Sequence, residues 1–201
     1  PELWHPDVEE RYRLKSRELF ETLGTKTGWP LKMFIPFEAG KHTGWQEHIH
    51  SNPNISVHYI NVTPVEGLKW FRFWMYDLRK GMPRPHNVLI PALLTAIQIG
   101  FKRIHLYGAD HSWLSEITVN DQNEVLVSQK HFYDEAVAQP RPMNYKGRRS
   151  RKLHEVLTKF VLAFKGYHEL NEYAERRGIT VLNATPGSFI DAFKRETKQQ
   201  N

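Results

Sequence analysis

Asp110, His111, Ser112 and Trp113 follow directly on Phe101-Lys-Arg-Ile-His-Leu-Tyr-Gly-Ala109, at the point where an apolar run stops and polar residues begin. Asp110 can accept hydrogen bonds from a sugar hydroxyl or hold a hydrated Mg²⁺. Gly108 lets backbone approach a ligand closely, and Trp113 offers a stacking face. A plainer use of Asp110 is as a cap for the turn, a common role of Asp after a strand.

Three further groupings could carry chemistry. In His131-Phe-Tyr-Asp134, His131 can serve as a general base and Tyr133 can donate to a departing phosphate. The alternative is a packed aromatic pair beside a surface histidine. Arg141, Lys146, Arg148, Arg149, Arg151 and Lys152 form a basic segment entering a long helix. Arginines at such a place suit a phosphate or diphosphate, although a charge run is also an ordinary solvated face. With its glycine and prolines the segment could close as a lid. Finally, Asn183-Ala-Thr185-Pro-Gly187-Ser188 is a turn of small residues whose backbone could hold a base, ribose or phosphate. It matches neither the dinucleotide fingerprint nor the phosphate-binding P-loop. His111, His131, Asp110 and Asp134 lack the spacing of known metal motifs, and no metal ligand is assigned.

These residues need a scaffold that brings turns together. The spacing of apolar residues predicts a helix over Val8–Leu23 with Gly24 as its stop, and a strand over Leu31–Phe37. A short helical region over Gly40–His50 and a strand over Ile55–Val62 follow. Pro64–Pro85, rich in aromatics, reads as a loop. A helix over Asn87–Ile99 then leads through Gly100 into a strand over Arg103–Tyr107. Ile117–Val119 and Val125–Val127 form a hairpin, and Lys130–Arg149 is irregular. A long helix spans Ser150–Arg177, with Leu153, Val156, Leu157, Phe160, Phe164, Tyr167 and Ala174 on its core face. A strand over Ile179–Leu182 and a short helix near Phe189–Phe193 complete the chain, and the tail beyond Glu196 is expected to fray.

Alternating helices and strands imply a mostly parallel α/β sheet of at least four strands with right-handed crossovers. The expected architecture is a Rossmann-like three-layer sandwich, a single domain over 1–201, with a hairpin and lid insertion over 111–149. In open sheets of this kind ligands bind beyond the carboxyl ends of the strands, where the Gly108–Trp113 and Asn183–Ser188 turns would lie. Such domains ordinarily open on a strand, whereas this chain opens on a helix, so a preceding βα unit is expected.

The 201 residues, 40% hydrophobic and 25% charged, suit a globular chain with a real core. The absence of cysteine excludes a disulfide scaffold and a thiol nucleophile, and suits a reducing compartment. No apolar run reaches the roughly 20 residues of a membrane span, so a cytoplasmic protein is expected. A net charge of +6 with eleven histidines suits phosphorylated substrates, nucleic acid or an anionic membrane surface. No nucleic-acid-binding module is recognisable.

On Ile104-His-Leu-Tyr-Gly-Ala-Asp110, the hairpin, His131-Phe-Tyr133, the long helix and Thr185-Pro-Gly-Ser-Phe-Ile-Asp191, the chain resembles the MptE-like family, named for a 6-hydroxymethylpterin diphosphokinase. More distantly it is similar to the bacterial sialyltransferases of capsule and lipooligosaccharide synthesis. The resemblance covers roughly Asn87–Phe193. It implies a Rossmann-like nucleotide-binding fold and transfer from a nucleotide-linked donor to a saccharide or small alcohol. By position, His131 or His154 would be the lid base, although neither stands in the sialyltransferase lid motif just before the helix. Trp113 stands near the place of an assisting tyrosine. In the sialyltransferase branch no metal is required for chemistry and no cofactor is implied beyond the donor. In the diphosphokinase branch ATP with Mg²⁺ is the donor and a pterin alcohol the acceptor. The nucleotide loop these groups share near their N-terminus is not in this chain.

The expected function is therefore a nucleotide-dependent, glycosyltransferase-like enzyme of bacterial surface polysaccharide synthesis. Asp110 and the Asn183–Ser188 turn would orient the donor, His131 would be the base, and Arg148 and Arg149 would offset phosphate charge. Gly108, His111, Trp113 and Tyr133 would complete the binding set. A location at the inner face of the cytoplasmic membrane is compatible with this role. A diphosphokinase and a non-catalytic nucleotide- or sugar-binding domain are the alternatives.

Overall fold

The computed structural model describes residues 4, 8–42, 44–128, 140–145 and 149–196. The chain is mixed α/β and divides into two compact units, residues 1–63 with 68–82 and residues 64–67 with 83–201.

The first unit contains helix α1 (Glu10–Lys26), strand β1 (Leu31–Pro36), the short helix α2 (Gly44–Glu47), strand β2 (Ile55–Ile60) and helix α3 (Lys69–Asp77). β1 and β2 pair in parallel from Leu31 opposite Ile55 to Pro36 opposite Ile60. A parallel pair needs a crossover of about a dozen residues or more, and the segment holding α2 supplies it. The core gathers Phe20, Ile35, Ala39, Trp45 and Ile49, with Leu23, Met33, Ile55 and Val57 packed against them. The Trp45 indole N–H reaches the Ala39 carbonyl at 2.9 Å.

Gly24 does not stop α1. The helix continues to Lys26, where Asn52 Nδ2 donates to the Gly24 and Thr27 carbonyls at 2.8 and 2.9 Å. Such side-chain donors satisfy carbonyls that a helix end leaves unpaired. Gly24 instead permits close packing, because a Cβ there would lie 1.9 Å from the His48 carbonyl oxygen.

The expected loop over Pro64–Pro85 contains α3. Its sequence, Lys-Trp-Phe-Arg-Phe-Trp-Met-Tyr-Asp77, has no helix breaker, and Lys69, Arg72 and Asp77 share one side of it. The helical period is present but runs over only nine residues, short of the window in which such a pattern is read.

The second unit holds helix α4 (Leu89–Ile99), strand β3 (Arg103–Leu106), the hairpin β4 (Ile117–Val119) and β5 (Val125–Val127), and the two-residue strands β6 (Arg141–Pro142), β7 (Asn144–Tyr145) and β8 (Arg149–Ser150). Helix α5 (Leu153–Arg176), strand β9 (Thr180–Asn183) and strand β10 (Lys194–Arg195) follow. The parallel sheet has the order β10-β9-β3, and an antiparallel sheet has the order β4-β5-β6. The parallel strands thus form a pair and a triplet rather than one sheet of four.

Asn87 Oδ1 accepts the Leu89 and Ile90 N–H groups and starts α4, while Gly100, at φ 101°, ends it. Both signals were legible in the sequence. α5 packs against the α4 region through Gly166, where a Cβ would meet Ile90 Cδ1 at 2.8 Å. Val156, Tyr167 and Ala174 are buried as expected, joined by Ala163, Leu170 and Tyr173. Leu153 and Leu157 of the expected core face are exposed.

The short helix expected near Phe189–Phe193 does not form. Ser188 Oγ accepts the Ile190 N–H at 3.2 Å, and Asn183 Nδ2 donates to the Ile190 carbonyl at 3.0 Å. The chain then enters β10. Side chains of this type compete with helix for backbone groups. Among the described residues no helix is long and apolar enough to cross a membrane.

Candidate functional site

The register of β3 and β9 decides where the two polar turns lie. Arg103 stands opposite Thr180 and Leu106 opposite Asn183, so both parallel strands finish at the same level. The turns behind them are joined directly. The Ala184 N–H donates to the Leu106 carbonyl at 2.9 Å, and the Phe189 N–H donates to the Asp110 carbonyl at 2.6 Å.

Side chains complete the junction. Thr185 Oγ1 accepts the Ala109 N–H at 3.1 Å and donates to the Leu106 carbonyl at 3.2 Å. Ser188 Oγ donates to the Ala109 carbonyl at 2.6 Å. It also accepts Asn183 Nδ2 at 3.0 Å as well as the Ile190 N–H. Asn183 Oδ1 accepts the Thr185 N–H at 3.0 Å. From β10, the Arg195 guanidinium donates to the Thr185 and Ser188 carbonyls. Asn183, Thr185 and Ser188 are all buried. One hydroxyl offers one donor and two acceptor positions, and an amide offers two donors. The Ser188 hydroxyl and the Asn183 NH₂ are therefore fully engaged inside the protein. These three side chains hold the two turns together, leaving Pro186 and Gly187, the latter at φ 67°, exposed on their turn.

The Gly108–Trp113 turn presents more to the outside. Gly108 adopts φ 70° with open space where a Cβ would stand, and Asp110 is exposed. Ser112 Oγ donates to Asp110 Oδ2 at 3.1 Å. His111 sits at φ 53°, ψ 27°, a left-handed conformation uncommon outside glycine. Strained backbone of this kind persists where the surroundings over-determine it.

Those surroundings are aromatic. The His111 ring lies 5.2 Å from Trp113, 6.0 Å from Phe164 and 5.5 Å from Tyr167, and Trp113 lies 4.1 Å from Phe160. Phe160, Phe164 and Tyr167 are spaced along one face of α5, as their sequence positions imply.

A hydrogen-bonded chain runs through this cluster. Asn87 Oδ1 is held by the start of α4, so its NH₂ faces the Tyr167 hydroxyl and donates to it at 2.6 Å. The hydroxyl also shares a hydrogen bond with His111 Nε2, 2.7 Å away, whose direction follows the tautomer of the ring. Burial, against a smaller opposing pull from Asp110, lowers the His111 pKa and favours the neutral ring. Burial pushes the Tyr167 phenol up to about 12, so it keeps its proton. With Nε2 engaged by Tyr167, Nδ1 is the ring nitrogen left for a ligand.

Comparison of the chain with protein-family models, curated proteins and solved structures gives no match. The site stands on its geometry alone.

Of the residues singled out in sequence, Gly108, Asp110, His111, Trp113, Asn183, Thr185, Gly187 and Ser188 come together at one end of β3 and β9. His131, Tyr133, Asp134, Lys146 and Arg148 lie outside the described residues. The backbone of Arg149 belongs to β8, opposite Tyr145. His154 is exposed on the first turn of α5. Among the described residues no group of three or more His, Asp or Glu side chains is placed to hold a metal ion. Sequence reasoning did not find the roles of Asn87 and Tyr167. The Asn at the start of a helix was a visible signal, but nothing in the sequence set the Tyr167 hydroxyl against His111.

Proposed function

We propose that the chain is a nucleotide-dependent transferase of glycosyltransferase-like type, built on a Rossmann-like sandwich, with its donor bound at the joined turns behind β3 and β9. The observation that supports this reading most strongly is the pairing of those turns at the carboxyl ends of neighbouring parallel strands, the position where open α/β sheets take their ligands. Asp110 would accept from the donor's sugar hydroxyls. His111 would meet the donor through Nδ1, and Trp113 and the exposed backbone of Gly108 and Gly187 would border the nucleoside. His131 remains the proposed base, and Arg148 and Arg149 the proposed partners of phosphate.

A diphosphokinase reading draws on the same carboxylate. Asp110 is exposed and among the described residues receives one side-chain donor, Ser112, so lone pairs remain for a hydrated cation carried by ATP.

Thermal melting with CMP, CDP, UDP, GDP and ATP, each with and without Mg²⁺, tests the proposal. A nucleotide at about one hundred times its Kd should stabilise the fold by about 2.7 kcal/mol. Stabilisation by CMP or a nucleoside diphosphate is the expected outcome, and a response to Mg-ATP alone would move the reading to the kinase. Asp110→Asn should remove most of the shift while changing the ligand-free melting temperature little, as exposed substitutions do. No response to any of the five nucleotides would overturn nucleotide binding at this rim.

A further inference from the structure

Helix α3 turns the wrong side to water. Its two buried side chains, Phe73 and Tyr76, occupy one face. At 3.6 residues per turn, Trp70, Trp74 and Leu78 fall at four-residue intervals along the opposite face. Trp70 is 65% exposed, Trp74 52%, Leu78 44% and Leu68, just before the helix, 67%. Phe71 joins them, its ring 5.9 Å from Trp70 and 6.2 Å from Trp74. Scattered surface hydrophobes are ordinary, but a contiguous patch containing two tryptophans marks an interaction surface.

Cations border the patch. Arg79 and Lys80 follow the end of the helix and are exposed, whereas the Lys69 ammonium lies over the Phe73 ring, 5.6 Å from its centroid, on the packed side. Asp77 is the one acidic residue between Leu68 and Lys80. Among the described residues neither the Trp70 nor the Trp74 indole N–H has a hydrogen-bond partner within the protein. Tryptophan with its ring in an apolar layer and its N–H in a wet one is the arrangement favoured at membrane–water interfaces. A second copy of the chain is a poorer fit. The patch exposes on the order of 500 Å² of side chain, short of the roughly 800 Å² per partner of a stable protein interface.

We infer that α3 is an interfacial anchor that seats this chain on an anionic phospholipid surface, with Leu68, Trp70, Phe71, Trp74 and Leu78 in the headgroup–acyl boundary and Arg79 and Lys80 against lipid phosphates. The inference does not rest on the transferase reading, because it uses no residue of the β3–β9 turns.

Sedimentation of the full chain with vesicles tests it. Vesicles of phosphatidylglycerol and phosphatidylcholine in equal parts should bind the protein, and phosphatidylcholine alone should bind it about tenfold more weakly. Added salt should weaken the anionic binding, and bound protein should show blue-shifted tryptophan fluorescence. Brominated phosphatidylcholine mixed into the anionic vesicles should quench part of that fluorescence. The double variant Trp70→Ser, Trp74→Ser should lose about tenfold or more in binding together with that quenching, and Arg79→Gln with Lys80→Gln should weaken binding to the anionic vesicles alone. Both pairs replace exposed side chains, and circular dichroism checks that they fold. The lipid-quenching readout on the unaltered protein needs no variant at all. Failure to bind anionic vesicles, equal binding to phosphatidylcholine alone, binding unchanged in the tryptophan variant, or a concentration-dependent dimer abolished by that variant would each overturn the inference.

Discussion

Tyr167 carries a larger share of the site than its place in a hydrophobic stripe suggests. Its hydroxyl accepts from Asn87 and shares a hydrogen bond with His111, linking the start of α4 to the Gly108–Trp113 turn. Tyr167→Phe would leave the Asn87 NH₂ and His111 Nε2 without partners in a partly buried setting. The expected loss of stability is about 1–3 kcal/mol, measured by urea unfolding. A histidine NMR titration should place the His111 pKa below 6.5, as the burial of its ring requires. The linkage has a definite sign. A histidine whose folded pKa lies below 6.5 stabilises the fold fully above that value, and the contribution is lost as pH falls through the folded pKa. His111→Asn should therefore flatten the decline of melting temperature on the acid side of pH 6.5. At this scale the sequence offered the residue types and their order. It could not show that Asn183, Thr185 and Ser188 turn inward while Asp110 turns outward, since that depends on which carbonyls and N–H groups lie across the junction.

Elements were legible where one local signal dominated. α4 has an Asn at its start and a left-handed Gly at its end, and the β4–β5 hairpin has Asn120 Oδ1 gathering the Gln122 and Glu124 N–H groups across its turn. α3 was not legible, because its nine residues fall short of the window in which a helical period is read. Gly24 was misread for a different reason. A glycine near a helix end commonly serves as a stop, but this one lies inside α1, where the His48 carbonyl comes too close for any side chain. Gly24→Ala should cost about 3 kcal/mol through overpacking, despite the better helix propensity of alanine. The clash is with backbone, which cannot rotate away as a side chain would. Thermal unfolding checks the prediction, and a neutral or stabilising result would mean that the α1–α2 approach is looser than the structure describes.

For the molecule as a whole, charge sets the behaviour toward acid. The chain carries +6 before any of its eleven histidines is protonated. Positive groups also crowd locally. Partial burial first, then the charges of Arg84 and Lys159, lower the His86 pKa, and burial followed by Arg151 lowers that of Lys159. His86, like His111, thus favours folding above pH 6.5 and opposes it as pH falls through its folded value. The melting temperature should drop between pH 7 and pH 5, and moderate salt should reduce that drop by screening the repulsion. A melting temperature equally sensitive to salt at pH 8 would assign the effect elsewhere. The amino-acid sequence by itself determined the order of most helices and strands, the two polar turns that follow β3 and β9, and the basic balance. Those properties are local or additive, and a chain carries them without needing to know its own shape. Tertiary structure alone decided that the two turns meet, that burial lowers the His111 pKa, and that the tryptophans of α3 face outward. Each depends on contacts between segments far apart in the chain, and on which polar atoms must find a partner once water is excluded.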